Sequence, residues 1–279
     1  MADKDKTIIE RSPDGTIEVK ITIPWALVKK EWDLVVEETI KNAQLPGFRK
    51  GKAPEKLVKD SIDKAKVRDQ VVRKILPQSY VEAINANNLR PIIDPSIHLE
   101  GELEEGSDWN FHALTAEAPV VDLGKYKEEV KKITAKSKII VPGKEKEEPK
   151  FDEIVKVLIE QAKVTVPRVL VEREADRLLA QTLDEIKRLG MSLDQYLSST
   201  GKTAEDLRAD YAKKAEGDLK LEFVLQEVAK TEKITVDDSE IDKTIENAKP
   251  EERESLTSNK YLLASIMRQQ KTLDYLKSL

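Results

Sequence analysis

The sequence contains no cysteine. That excludes disulfides, thiolate metal sites and cysteine nucleophiles. Histidine is nearly as scarce, with His98 and His112 alone. Both fall in strand-like segments, no carboxylate stands beside them at metal-ligand spacing, and both read as structural. Aromatic residues make up only 5% of the chain while charged residues make up 36%. That balance suits long solvated helices better than one thick core. No window approaches the roughly 20 apolar residues of a membrane span. The N-terminal MADKDKTIIE lacks the apolar stretch of a signal peptide, so a cytoplasmic protein is expected. Catalytic signatures are missing too: there is no HExxH, no GxSxG, no phosphate-loop GxxxxGKS/T and no GxGxxG. Gly101 and Gly106 bracket a hairpin turn, not a phosphate loop. The expectation is a protein that is not an enzyme and needs no cofactor and no metal.

What is present divides the 279 residues into two parts. Residues 1–119 read as an α+β domain. GTIEVKITIP places Ile17, Val19, Ile21 and Ile23 on one face of a strand. Pro24 then opens a helix with an apolar stripe from Trp25, Val28 and Trp32 through Val35, Val36, Thr39, Ile40 and Ala43. A short helix from about Pro54 and a longer one from about Ala65 follow. The second stripe comprises Val67, Val71, Ile75, Tyr80, Val81 and Ile84, with Pro77 expected to kink or interrupt it. SIHLEGEL and DWNFHALTAEA read as two strands joined near Gly106. The helices are expected to cover one face of a small antiparallel sheet.

Residues 120–150 are rich in lysine and glutamate and end in PGKEKEEP. They read as a linker with one extended segment at Ile133–Val141. Residues 151–279 read as all-α, with helical arms. Pro167 opens one helix (Val171, Ala175, Leu178, Leu179, Thr182, Ile186, Leu189) and Gly190 stops it. Thr203 and Asp206 form a capping-box pattern before a helix bearing Leu207, Tyr211, Ala215, Leu219 and Phe223. Asp237 or Asp238 caps a further helix with Ile241 and Ile245. A last helix starts near Asn259 and carries Leu262, Leu263, Ile266, Leu273 and Leu276. AKVTVPRVLVERE and EKITVDDSEIDKT, 70 residues apart, echo one another. Two related helical hairpins and a chance likeness of short junctions both account for that.

One stretch fits neither domain's core. QLPGFRKGKAPEKLV sets Phe48 among Arg49, Lys50 and Lys52 in a loop broken by Pro46, Gly47, Gly51 and Pro54. Eleven basic and four acidic residues lie between Lys41 and Lys74, on a chain of formal net charge −5. A local surplus of that kind points to a specific anionic partner, against the plainer reading of a solvated helix face.

The run Gly47-Phe48-Arg49-Lys50-Gly51-Lys52-Ala53-Pro54 resembles the GFRxGKxP signature of the trigger factor family of bacterial ribosome-associated chaperones. The likeness is strong to about Leu123 and extends more loosely to the C-terminal helices through their TVP and ITVDD junctions. It implies an ATP-independent chaperone that docks at the polypeptide exit of the large ribosomal subunit and holds nascent unfolded chains. Implied partners are an exit-tunnel ribosomal protein, 23S rRNA and the nascent chains, with no membrane, and a homodimer away from the ribosome. The implied ribosome-binding residues are Gly47, Phe48, Arg49, Lys50, Gly51, Lys52 and Pro54. Lys50 and Lys52 would neutralise phosphates, Arg49 would pair with a carboxylate or phosphate, and Phe48 would fill an apolar or base-stacking pocket. Family members typically carry an FKBP-like prolyl isomerase domain before the helical part. Here PGKEKEEPK stands at that junction, so isomerase activity is not expected. The rival expectation is a ribosome- or RNA-binding assembly factor whose helices recruit one defined protein.

Overall fold

The computed structural model describes residues 6–43, 54–137 and 151–279. The chain divides into two compact units, Met1–Glu117 and Ala118–Leu279.

In the first unit, β1 (Lys6–Arg11), β2 (Thr16–Ile23), β3 (Ser96–Glu100) and β4 (Trp109–Ala116) form one antiparallel sheet in the order β1-β2-β4-β3. Strand alternation decides which face is covered. Ile17, Val19, Ile21 and Ile23 are fully buried, and across β4 they meet Thr115, Ala113, Phe111 and Trp109. Against this face pack α1 (Trp25–Asn42) and α3 (Lys64–Ala86), through Val28 and Val35 and through Val67, Val71, Leu76 and Ala83. The short α2 (Glu55–Ser61) lies between them in sequence and buries Val58. Trp109 closes one end of the core, with its indole Nε1–H donating to the Glu104 carbonyl at 3.2 Å.

Three details depart from the sequence expectation. The strand β1 has no counterpart in it. Pro77 does not interrupt α3, which runs continuously through it. The position is exposed, so the carbonyl that proline leaves without an N–H can face water. Val81, assigned to the buried stripe, is 54% exposed, while Leu76 and Ser79 are buried in its stead.

In the second unit, α4 (Tyr126–Ser137), α5 (Phe151–Gln161), α8 (Ala204–Thr231) and α11 (Lys260–Ser278) share a core. It contains Tyr126, Val130, Ile154, Leu158, Val224, Val228 and Leu276. Here the reading of residues 120–150 needs correcting. Residues up to Ser137 fold with the second unit, and Ile133–Ser137 are helical where an extended segment was expected. The spacing Tyr126–Val130–Thr134 puts three buried residues on one helix face, and the lysines around it obscure that pattern. Residues 138–150 lie outside the described residues.

The helix α6 (Arg168–Arg188) packs along α8, and the Thr182 and Tyr211 hydroxyls share a hydrogen bond of 2.5 Å across the pair. Between them sits α7 (Leu193–Thr200), which has a Ser192–Gln195 capping box. The expected Thr203–Asp206 box starts α8. Asp237 occupies the N-cap of α9 (Asp238–Asn247) without a side-chain cap bond. The chain reaches α11 through α10 (Pro250–Ser258).

Four helices end in the same motif. After α3, α6, α7 and α8 the chain turns through a left-handed residue, and the next N–H returns to a carbonyl in the last turn. These bonds are Leu89 to Ile84, Met191 to Ile186, Lys202 to Leu197 and Ile234 to Ala229, at 3.1, 3.1, 3.2 and 2.8 Å. The left-handed residues are Asn88, Gly190, Gly201 and Lys233.

Candidate functional site

The loop that the sequence singles out falls between α1 and α2. Gly47, Phe48, Arg49, Lys50, Gly51 and Lys52 lie outside the described residues, and only Pro54 has a described place. It stands at the N-cap of α2 with φ −58° and ψ 132°, and its carbonyl accepts from Val58 N–H at 3.2 Å. Proline's fixed φ suits this entry to the helix. On the near side, α1 ends at Asn42 with Ala43 as its C-cap.

Folding changes the meaning of the basic stretch. Lys64 pairs with Glu105 at 3.2 Å, and Lys74 pairs with Glu31 and Glu38 at 3.3 and 3.2 Å. Those three carboxylates come from outside the stretch and offset part of its charge. Lys59 is held only loosely to Glu55, at 3.7 Å. Lys56 and Arg73 are exposed and have no ion pair among the described residues.

The two histidines stand opposite each other in β4 and β3, on the sheet face away from the helices. His112 is bridged between two carboxylates, with Nδ1 against Glu18 and Nε2 at 2.8 Å from Glu100. These bonds, the Glu18 one first, raise its pKa above the ordinary 6.5. Among the described residues, no group of three potential metal ligands could hold an ion. His112 therefore ties β2, β4 and β3 together.

The second unit presents a different surface. On α11, Tyr261, Leu262 and Ile266 are 89%, 59% and 54% exposed. Helical spacing alone puts Leu262 and Ile266 on an apolar stripe, and here they face solvent. Leu189, at the C-cap of α6, is exposed as well. Beside Tyr261 a cleft runs between α8 and α11, lined by Phe223, Ile234, Thr235, Ser265 and Arg268 along its length. Its wider end encloses ≈ 520 Å³ and reaches Pro119 and Val121. At the C-cap of α8, Glu232 gathers three donors from α4 and α11. Tyr126 Oη donates at 2.9 Å, Lys127 Nζ at 2.8 Å and Tyr275 Oη at 2.7 Å. Lys127 first, then Tyr275, hold the Glu232 carboxyl below its usual range. The sequence singled out neither Glu232 nor Arg268. No linear pattern marks them, because their partners come from helices far apart in the chain.

Fold and surface together define a two-unit protein, with an α+β unit bearing a basic loop and an all-α unit with exposed apolar helix faces. Two family models fit this division. The bacterial trigger factor protein model matches residues 6–154, and the model of its C-terminus matches residues 123–279. The chain belongs to the bacterial trigger factor family. The two matches overlap at 123–154, so no stretch between them is left for an inserted third domain. The trigger factor of Mycobacteroides abscessus is 30% identical over 118 residues, covering 42% of this chain and 24% of that protein. That of Staphylococcus carnosus is 31% identical over 109 residues, covering 39% and 24%. The matched segment thus spans about a quarter of the length of these relatives. A solved structure described as "Promiscuous Substrate Recognition in Folding and Assembly Activities of the Trigger Factor Chaperone" superposes with a TM-score of 0.64 at 13% identity. The superposition covers 98% of this chain and 99% of that one, and at such identity it speaks for the fold. Among the described residues, no helix is long and apolar enough to cross a membrane.

Proposed function

We propose that this chain is a cytoplasmic, ATP-independent chaperone. The loop from Gly47 to Pro54 docks it at the polypeptide exit of the large ribosomal subunit, against a ribosomal protein and 23S rRNA. The helices of the second unit hold unfolded chains as they emerge. The observation that carries the holding role is the apolar surface left on α11, where Tyr261, Leu262 and Ile266 stand in solvent. Exposed apolar surface of that kind marks a binding site. Scattered apolar contacts without one demanding pocket suit many clients. Family membership supports the same reading, as does a structural neighbour described as a chaperone of promiscuous substrate recognition. The loop's part rests on its GFRxGKxP sequence. No isomerase step is proposed, since the matched regions run into one another without an intervening domain.

The test is aggregation suppression. The full chain, without nucleotide, is mixed at near-stoichiometric ratio with a chemically unfolded protein diluted into buffer, and light scattering is followed. The expected result is strong suppression, weakened when Leu262 and Ile266 are both replaced by serine. Scattering unaffected by the full chain overturns the holding role and favours an assembly factor with one defined partner.

A further inference from the structure

The cleft between α8 and α11 has a chemistry that a general apolar surface does not need. Its shape follows from the inward face of α11. Leu273 and Leu276 belong to the core cluster. One to two turns earlier α11 lines the cleft with Ser265 and Arg268, small or polar side chains that do not close it against α8, while Tyr261 stands at its solvent-exposed end. Phe223 and Ile234 supply an apolar wall at the wider end.

Two cations line this space without a partner among the described residues. Arg268 lines every part of the cleft and makes no side-chain hydrogen bond or ion pair. Lys233 is likewise unpaired, and its backbone adds a second observation. It holds φ 55° at the left-handed position that ends α8, where the equivalent residues after α3, α6 and α7 are Asn88, Gly190 and Gly201. A lysine there costs about 1–2 kcal/mol in backbone sterics. The fold tolerates a cation where glycine or asparagine is favoured. The other charged groups lining the cleft are Glu227, paired with Lys230 at 3.2 Å, and Glu222, which accepts from Gln226 at 3.0 Å, while Lys271, one turn along α11 from Arg268, is held by Glu240 at 2.5 Å.

We propose that this cleft is a peptide subsite that takes an extended segment carrying an aliphatic side chain beside a carboxylate. The aliphatic group enters beside Phe223 and Ile234, and the carboxylate meets Arg268 and Lys233. A guanidinium can take a carboxylate through two parallel N–H bonds, which a lysine cannot do. The inference deepens the holding role above and rests on it: clients with acidic-aliphatic stretches are gripped here, while the exposed face of α11 stays indifferent to charge.

The experiment measures fluorescence anisotropy of two labelled peptides, identical except that one carries a Leu-Glu-Leu-Glu tract and the other Leu-Lys-Leu-Lys. The parent chain binds the glutamate peptide more tightly. Arg268→Gln weakens that binding about tenfold, the loss of one charged hydrogen-bonding partner, and Arg268→Lys restores part of it. The far-ultraviolet circular dichroism of both variants matches the parent, because the Arg268 side chain is exposed and has no bonding partner among the described residues. Ser265→Leu, which fills the cleft, lowers affinity for the glutamate peptide without touching either cation. Equal affinity of parent and Arg268→Gln for the glutamate peptide, or tighter binding of the lysine peptide by the parent, overturns the inference. Failure of the parent to suppress aggregation overturns the holding role. Suppression without discrimination between the peptides overturns this inference alone.

Discussion

The two units bury their apolar residues in opposite ways. In the first, a sheet gives two continuous rows of side chains a common floor. Ile17, Val19, Ile21 and Ile23 lie beside Phe111 and Trp109, and two helices close over them. In the second there is no strand among the described residues, and helices must cover one another. They do so well where α4, α5, α8 and α11 converge, and thinly elsewhere. Among their described residues, α7 and α10 bury none, and the start of α11 leaves Tyr261 and Leu262 in solvent. In the proposed function the sheet-based unit carries the docking loop and the helical unit offers Tyr261, Leu262 and Ile266 to clients. Apolar exposure alone does not separate the units, since the first also leaves Ile8, Leu27, Leu34, Leu57 and Leu99 in solvent.

The largest break in this comparison comes from the sheet core. Trp109→Ala removes a buried indole and should cost about 3–5 kcal/mol. In urea, the fluorescence of Trp25 and Trp32 reports the first unit, and its midpoint should fall sharply. The helical signal of the second unit should keep its own midpoint. A common shift of both signals would show that the units fold as one.

A smaller effect is expected at Glu232, where one carboxylate joins α4, α8 and α11. Glu232→Ala leaves two tyrosine hydroxyls and Lys127 without their acceptor, at about 1–3 kcal/mol. The sign with pH follows from the lowered pKa. The carboxylate's contribution is present above its ordinary value of 4.5 and is lost as pH falls through the lower folded value. Parent and variant should therefore differ at neutral pH and converge in acid. A gap in unfolding midpoint that widens as pH falls would contradict this.

Much of the first unit was legible in the chain. Strand alternation gave β2 and β4, and in the second unit the Thr203–Asp206 box marked the start of α8. What stayed hidden did so for physical reasons. The strand β1 is short and half polar, and its partner β2 is what makes it a strand. In α4 the buried spacing Tyr126–Val130–Thr134 is overwritten by charge, so helix and linker look alike. Val81 was misassigned because one apolar residue more or less does not settle the phase of a stripe. The cleft proposed as a client subsite was illegible altogether. Phe223 and Lys233 lie far from Arg268 in sequence, and only the packing of α8 against α11 brings them together. The loop proposed for docking was the reverse case, plain in sequence and outside the described residues.

His112 sharpens the picture of the sheet. Its charge is favoured by Glu18 and Glu100, so its pKa lies above 6.5. The stabilisation it provides is complete below 6.5 and disappears as pH rises through that raised value. His112→Gln should cost at most about 1 kcal/mol in mild acid, since the site is partly exposed. It should cost nothing measurable at alkaline pH. Nuclear magnetic resonance titration of the imidazole gives the raised value directly, and a midpoint at or below 6.5 would contradict the bridge.

The smallest effect concerns Lys233. Lys233→Gly relieves a strained backbone but loosens the unfolded chain, for a net gain of about 0.5 kcal/mol. The same change should weaken binding of the glutamate peptide. A more stable protein with a poorer cleft is the pattern expected if the lysine is kept for its charge. A less stable variant would show that Lys233 has a structural task instead.

The division between a docking unit and a holding unit is tested most directly by one variant of the full chain. Phe48, Arg49 and Lys50 are replaced together by alanine, and cosedimentation with ribosomes is measured beside aggregation suppression. The account predicts that ribosome affinity falls at least about tenfold, or about 1.4 kcal/mol, while suppression of aggregation is unchanged. Undiminished cosedimentation at the same salt concentration, or loss of both activities together, would contradict it.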